Sequence, residues 1–289
     1  MKVAFIGLGN MGLPMAKNLL QGGFAVHAYN RSFERSNALR DTSVKIFDTA
    51  EKAVEDADVV ISMLSDDHAV KEISDRIIPV MKKGSIHLSM STVAPSTATK
   101  LSESATKNQI IYLGSPVMGR PPAAEAKQLF ILLSGDSQAK TKVKPILEAM
   151  SQRVFDYGDN SASANTVKLI MNYMIFVVVE ILSEVMLVAE KAGIDKKILL
   201  ETMTSTIFGA PAIKTYGALI IEEKDNPKGF STKLASKDLR LMQEAASQEQ
   251  IILPLADVIQ AHFKEIISNE GGHKDVSHLV THLREALKK

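Results

Sequence analysis

The chain contains no cysteine in 289 residues. That excludes disulfides, thiolate nucleophiles and cysteine-ligated metals together, and it fits a reducing, cytoplasmic setting. Tryptophan is also absent and aromatic residues make up only 5%. The 34 Lys and Arg residues face 33 Asp and Glu residues, for a formal charge of +1. With basic residues scattered and no aromatics interleaved, neither nucleic acid nor an anionic membrane is an expected partner. His278 and His282 lie four apart, but with no H-E-x-x-H and no cysteine beside them no metal is expected. Long uninterrupted apolar runs are missing as well. The most apolar stretch, MNYMIFVVVEILSEVMLVA, is crossed by Asn172, Glu180 and Glu184, which predicts a buried helix and not a membrane span. The first seven residues read as a strand, so no secretory signal or Arg-rich leader is expected.

Glycine, in contrast, is concentrated where it carries information. GLGNMG, Gly7 to Gly12, follows the branched apolar run Val3 to Ile6. Leu13, Ala16, Leu19 and Leu20 then recur at helical spacing up to Gly22-Gly23, and a second short strand spans Ala25 to Tyr29. Strand, glycine turn, helix and strand within about thirty residues form the unit that a dinucleotide-binding fingerprint requires. Gly7 permits the tight turn, Gly9 lets backbone approach a pyrophosphate, and Gly12 lets helix pack on strand. Leu8, Asn10 and Met11 supply backbone around the phosphates at the helix start. After the second strand an NAD enzyme usually places an acidic residue for the ribose 2′-hydroxyl. Here the chain reads Asn30, Arg31 and Ser32. A guanidinium pairs with a 2′-phosphate, so NADP is expected over NAD.

Further strand-like runs at Val44–Phe47, Val59–Leu64, Ser85–Ser89, Ile110–Gly114 and Phe130–Ser134 alternate with helical patterns. This predicts an α/β fold, a Rossmann-type, doubly wound and mostly parallel sheet. Ligands of such sheets bind beyond the carboxyl ends of strands, which makes MLSD (with Met63, Leu64 and Ser65) and SMSTVAP candidate cofactor-facing loops. From Ser161 to Ala192 there is neither proline nor glycine, enough for one helix about 32 residues and about 48 Å long. Helical patterns follow to the end. The expected division is a dinucleotide-binding domain over 1–160 and an all-α substrate and oligomerisation domain over 161–289, entered by the long helix. Within that helix Lys168 and Asn172 share a face, and the apolar residues around them, Leu169, Ile170, Met171, Met174 and Ile175, imply burial.

Four ordered segments, FIGLGNMGLPMAKNL, SMSTVAP, ANTVKLIMN and FSTKLASKDLRL, together resemble the β-hydroxyacid dehydrogenase family along essentially the whole chain. That family includes 3-hydroxyisobutyrate dehydrogenases and glyoxylate/succinic semialdehyde reductases, with an NAD-binding domain of the 6-phosphogluconate dehydrogenase type. The resemblance implies Lys168 as catalytic acid/base and Asn172 as a substrate-orienting group. It also implies Thr92 at the nicotinamide side with Ser91 beside it, Lys237 and nearby Phe230 as cofactor contacts, and a site in an interdomain cleft. The expected reaction is hydride transfer between the cofactor and a small hydroxy acid, or its aldehyde or keto acid in reverse, in a homodimer or homotetramer. One segment departs from the family pattern. Where members generally have a PVSGG-like loop, this chain has PVMGRPPAAEA: Gly119 is kept, Met118 replaces the serine and Arg120 replaces a glycine. Arg120 could supply the anion contact that the serine hydroxyl provides elsewhere; alternatively, Met118 and Arg120 reshape the site for a bulkier or less acidic substrate. Imine reductases share the two-domain plan but typically lack the lysine, and non-catalytic NADP-binding relatives usually carry extra domains or lose it.

Overall fold

The computed structural model describes residues 1–224, 226 and 229–287, in two compact units, Met1–Lys168 and Leu169–Lys289. The first unit holds nine strands: β1 Lys2–Ile6, β2 Ala25–Tyr29, β3 Lys45–Ile46, β4 Val59–Ser62, β5 Ile86–Ser89, β6 Ile111–Gly114, β7 Val117–Met118, β8 Leu129–Gly135 and β9 Ser151–Asp156. They are ordered β3-β2-β1-β4-β5-β6-β8-β7, with β9 also on β8. Neighbours from β3 through β6 are all parallel. β8 runs antiparallel to β6 and β7 and parallel to β9. This is the expected mostly parallel doubly wound α/β sheet.

The branched runs form strands because both faces of the sheet are covered, so every position needs an apolar or satisfied side chain. Alternation then sorts each strand between two cores. Val3, Phe5, Val59, Ile61 and Leu88 join one core with Met15 and Leu19 of helix Gly12–Gln21. Ala4, Ile6 and Val60 join the other, with Val70, Ile73 and Ile77 of helix Asp67–Ile77 and Leu101 of helix Pro95–Lys107. His87 of β5 is fully buried, and burial pushes its ring down to about 4. It is neutral near pH 7, lies 3.0 Å from Ser62 Oγ, and has no access to substrate.

The second unit is built from helices. The long helix is Ser163–Lys191, 29 residues and about 44 Å, closed by Gly193 at φ 70°. It is long and apolar enough to cross a membrane by length and composition alone. Phe176, Val179, Leu182, Met186 and Leu187 nevertheless lie in a core shared with helices Pro211–Glu222, Thr232–Gln248 and Pro254–Ser268. The implied burial of its neighbours to Lys168 needs correction. Leu169 is buried, but Ile170 is 39% and Met174 58% exposed, because the helix turns only part of its circumference to its own unit.

A charge network closes the far end of this unit. Arg284 of helix Leu279–Ala286 forks onto Glu190 (3.0 and 3.0 Å) and Glu223 (2.7 and 2.6 Å). Lys196 joins Glu190 at 3.0 Å. The Arg284 and then the Lys196 hydrogen bonds hold the Glu190 carboxyl down from its ordinary 4.5 to about 2. A depressed carboxyl contributes stability that is present above its ordinary value and lost as pH falls through the folded one. Thermal melting is therefore expected to weaken between about pH 5 and pH 2. Arg284→Ala should lower stability at pH 7 by about 1–2 kcal/mol and flatten that acid dependence.

Candidate active site

Three glycines of the first turn have three different reasons to be glycine. Gly7 ends β1 at φ 101°, and a Cβ there would strike the Met63 carbonyl. A Cβ on Gly12 would strike the Gly7 carbonyl. Gly9 is different, since a Cβ there would meet no protein atom within 4 Å. The protein's own packing requires Gly7 and Gly12, whereas no contact of a Cβ requires glycine at position 9. Helix Gly12–Gln21 begins at this point with no side-chain cap from Met11, so its amide end is open to an anion. The residues fit a bound pyrophosphate.

Around this cradle the loops are tied to one another. Asn30 Oδ1 accepts from Leu8 N at 2.8 Å, and Asn30 Nδ2 donates to Ser32 O at 2.9 Å. Asn30 therefore fixes the glycine loop to the end of β2. Arg31 and Ser32 are exposed there. Arg35, which the sequence pattern did not single out, donates to Asn10 Oδ1 at 3.2 Å. Met63 and Leu64 are half-buried and Ser65 is exposed after β4, while Thr92 is half-buried after β5. Ser91 is fully buried, and its Oγ accepts from Leu64 N at 2.8 Å. Its hydroxyl joins two loops and offers substrate no side-chain surface in this conformation.

The altered substrate loop starts on β7, where Met118 pairs with Phe130 of β8. Gly119 sits at φ 137°, and a Cβ there would press on Leu129 Cδ2 at 2.7 Å. Arg120 leads into helix Pro121–Glu125. Asn18, from the helix after the glycine turn, donates to Ala124 O at 2.6 Å, which ties this loop to the cofactor half of the unit.

The long helix carries Lys168, half-buried, and Asn172, buried, one turn apart. Asn172 Nδ2 donates to Asp238 Oδ2 at 2.6 Å, and Lys237 Nζ pairs with Asp238 Oδ1 at 2.9 Å. The structure thus joins two expected site residues through a third, the buried carboxylate of Asp238, which the sequence reading passed over. Its only sequence signal was an acid beside Lys237 on an otherwise buried helix face. The geometry settles the Asn172 amide, because with its NH₂ turned to Asp238 its oxygen is left as the acceptor. Phe230 packs its ring 5.5 Å from Phe176, and its N–H donates to Asp275 Oδ2 at 2.8 Å.

Residues 2–158 match the family described as the NAD binding domain of 6-phosphogluconate dehydrogenase, and residues 162–283 match the one described as NAD-binding of NADP-dependent 3-hydroxyisobutyrate dehydrogenase. The chain belongs to the β-hydroxyacid dehydrogenase family. Among its relatives, the uncharacterized oxidoreductase YfjR of Bacillus subtilis is 37% identical, over 97% of this chain and 99% of the relative. The NAD-dependent L-serine dehydrogenase of Pseudomonas aeruginosa is 30% identical, over 96% and 95%. The solved structure of Mycobacterium tuberculosis 3-hydroxyisobutyrate dehydrogenase with L-serine has a TM-score of 0.90 at 25% identity, covering 98% of this chain and 99% of that one. As a β-hydroxyacid dehydrogenase the chain is an NAD(P)-dependent enzyme acting on hydroxy acids, and the glycine cradle is where a nicotinamide dinucleotide fits.

Proposed function

We propose that this enzyme uses NADP(H) to interconvert a small hydroxy acid and its carbonyl form, with Lys168 as the acid/base. The observation that carries the reading is the Lys168–Asn172 pair on one helix, with Asn172 locked by the buried Asp238 to Lys237. The nicotinamide supplies or accepts the hydride when bound. Lys168 donates a proton to the carbonyl oxygen during reduction and takes it back during oxidation. Asn172 orients substrate by hydrogen bonding, Thr92 faces the nicotinamide side, and Gly119 and Arg120 receive the substrate's anionic end. L-serine and 3-hydroxyisobutyrate, named for its relatives, are the first candidates. A panel of such hydroxy acids with NADP, and of the matching aldehydes with NADPH, tests the reading. NADP-dependent turnover of a hydroxy acid supports it, and reduction of imines alone overturns it. The absence of cysteine supports a cytoplasmic setting.

The preference for NADP rests on Arg31, exposed where a carboxylate would select NAD. The unmodified protein is expected to bind NADPH more tightly than NADH, by at least about tenfold, and Arg31→Asp to reverse the order. Titrations that find NADH the tighter ligand of the unmodified protein would count against this assignment.

Association as a homodimer or homotetramer is part of the same reading. Ile170, Met174, Ile181 and Val188 line the long helix at 39%, 58%, 48% and 68% exposure, an apolar stripe that a second copy would cover. Light scattering is expected to give a multiple of 31.5 kDa, and Met174→Glu with Val188→Glu to reduce it to the monomer.

A further inference from the structure

Two consecutive acids open the helix Asp67–Ile77 just after the MLSD loop, and they do different work. Asp66 caps its own helix, its Oδ1 accepting from Ala69 N at 2.8 Å. Asp67 is therefore not needed as that helix's cap. Its Oδ1 instead accepts from Ala94 N at 2.9 Å and from Thr97 Oγ1 at 2.7 Å, at the start of the next helix, Pro95–Lys107. Ala94 has no side chain with which to cap that helix. Asp67 provides the cap from another loop.

The consequence lies in the spacing. Leu64 is tied to Ser91, and three residues further on Asp67 is tied to Ala94. Thr92 and Val93 sit between the two ties, with Ser65 and Asp66 opposite. Val93 is fully buried, which fixes the middle of the loop from below. Thr92 is thus held by a clamp of two side chains, Ser91 and Asp67, set on neighbouring strand exits.

We propose that Asp67 is a positioning residue for the cofactor, holding the 91–95 loop so that Thr92 meets the nicotinamide half. The inference rests on the reading that Thr92 faces that half. Reaction geometry is sensitive to displacements of about 1 Å, and the Asp67 tie is the one that meets the loop just beyond Thr92.

The test uses the full chain and two probes read by fluorescence or calorimetric titration. NADPH carries both halves of the dinucleotide, and 2′,5′-ADP carries the adenosine half alone. Asp67→Ala is expected to raise the NADPH dissociation constant by about tenfold and to leave 2′,5′-ADP unchanged. Asp67→Asn keeps an acceptor oxygen and should restore NADPH binding. In a Thr92→Ala background, Asp67→Ala should add little, because both changes remove the same contact. If Asp67→Ala fails to fold, Thr97→Val removes one of the two donors and should weaken NADPH selectively by a smaller factor. Equal weakening of both probes, or an Asp67→Asn variant as weak as Asp67→Ala, overturns the inference. So does additivity with a Thr92→Ala variant that is itself weakened. A Thr92→Ala variant that binds NADPH normally overturns the placement of Thr92 and this inference with it.

Discussion

Lys168→Ala is expected to lower kcat by about 10²–10⁴-fold, the usual size of a general acid–base contribution, while NADPH binds as before. The expectation rests on the proposed function and on the state of the other candidate groups. Asn172 is committed through its NH₂ to Asp238 and presents an oxygen, which cannot deliver a proton to a carbonyl. Lys237 is paired with the same carboxylate. His87 is sealed inside the sheet. On the proposed reading Lys168 moves the proton. Oxidation needs the amine and should gain as pH rises, whereas reduction needs the ammonium and should weaken over the same range. Both trends should vanish in Lys168→Ala. A lysine that merely packs its methylenes would leave turnover near normal when truncated, and near-normal reduction of the best aldehyde by this variant would refute the role.

The parts of this site that could be read in the sequence are those whose cause is local. A glycine at a tight turn, a branched run flanked by polar residues and a four-residue spacing on a helix each constrain only their neighbours. β1 through β6 and the second unit's helices emerge where their patterns place them. β9 escaped because its residues SQRVFD are all half-buried or exposed. It is a strand by virtue of its pairing with β8, not of its own alternation. Asp238 and Asp67 escaped for a related reason. Asp238 acts on Asn172 across 66 residues and Asp67 on Ala94 across 27, and an acid on a helix reads as surface charge until its partner is placed. Periodicity also misjudged Ile170 and Met174, since an apolar circumference does not say which arc the helix's own unit covers.

The glycine turn offers a second large effect, in which two positions three apart should fail in opposite ways. Gly12→Ala puts a methyl group against the Gly7 carbonyl inside the protein. Backbone cannot yield there without separating the first helix from β1, and Phe5 Cε1, 3.0 Å from the new atom, blocks the other direction. Overpacking of this kind costs about 1–3 kcal/mol or more. Gly12→Ala should therefore melt earlier and lose cofactor binding as a consequence. Gly9→Val places its Cβ where, chain neighbours aside, no protein atom lies within 4 Å. Gly9 is without the positive φ of Gly7, so valine is expected to be tolerated by the fold. Its methyls fill the volume through which a pyrophosphate reaches the open helix end. Gly9→Val should keep a melting temperature close to that of the unmodified protein and raise the NADPH dissociation constant on the order of 100-fold. Thermal melting and NADPH titration on the two variants separate the cases. A Gly9→Val protein that binds NADPH normally would show that the phosphates do not lie on this turn.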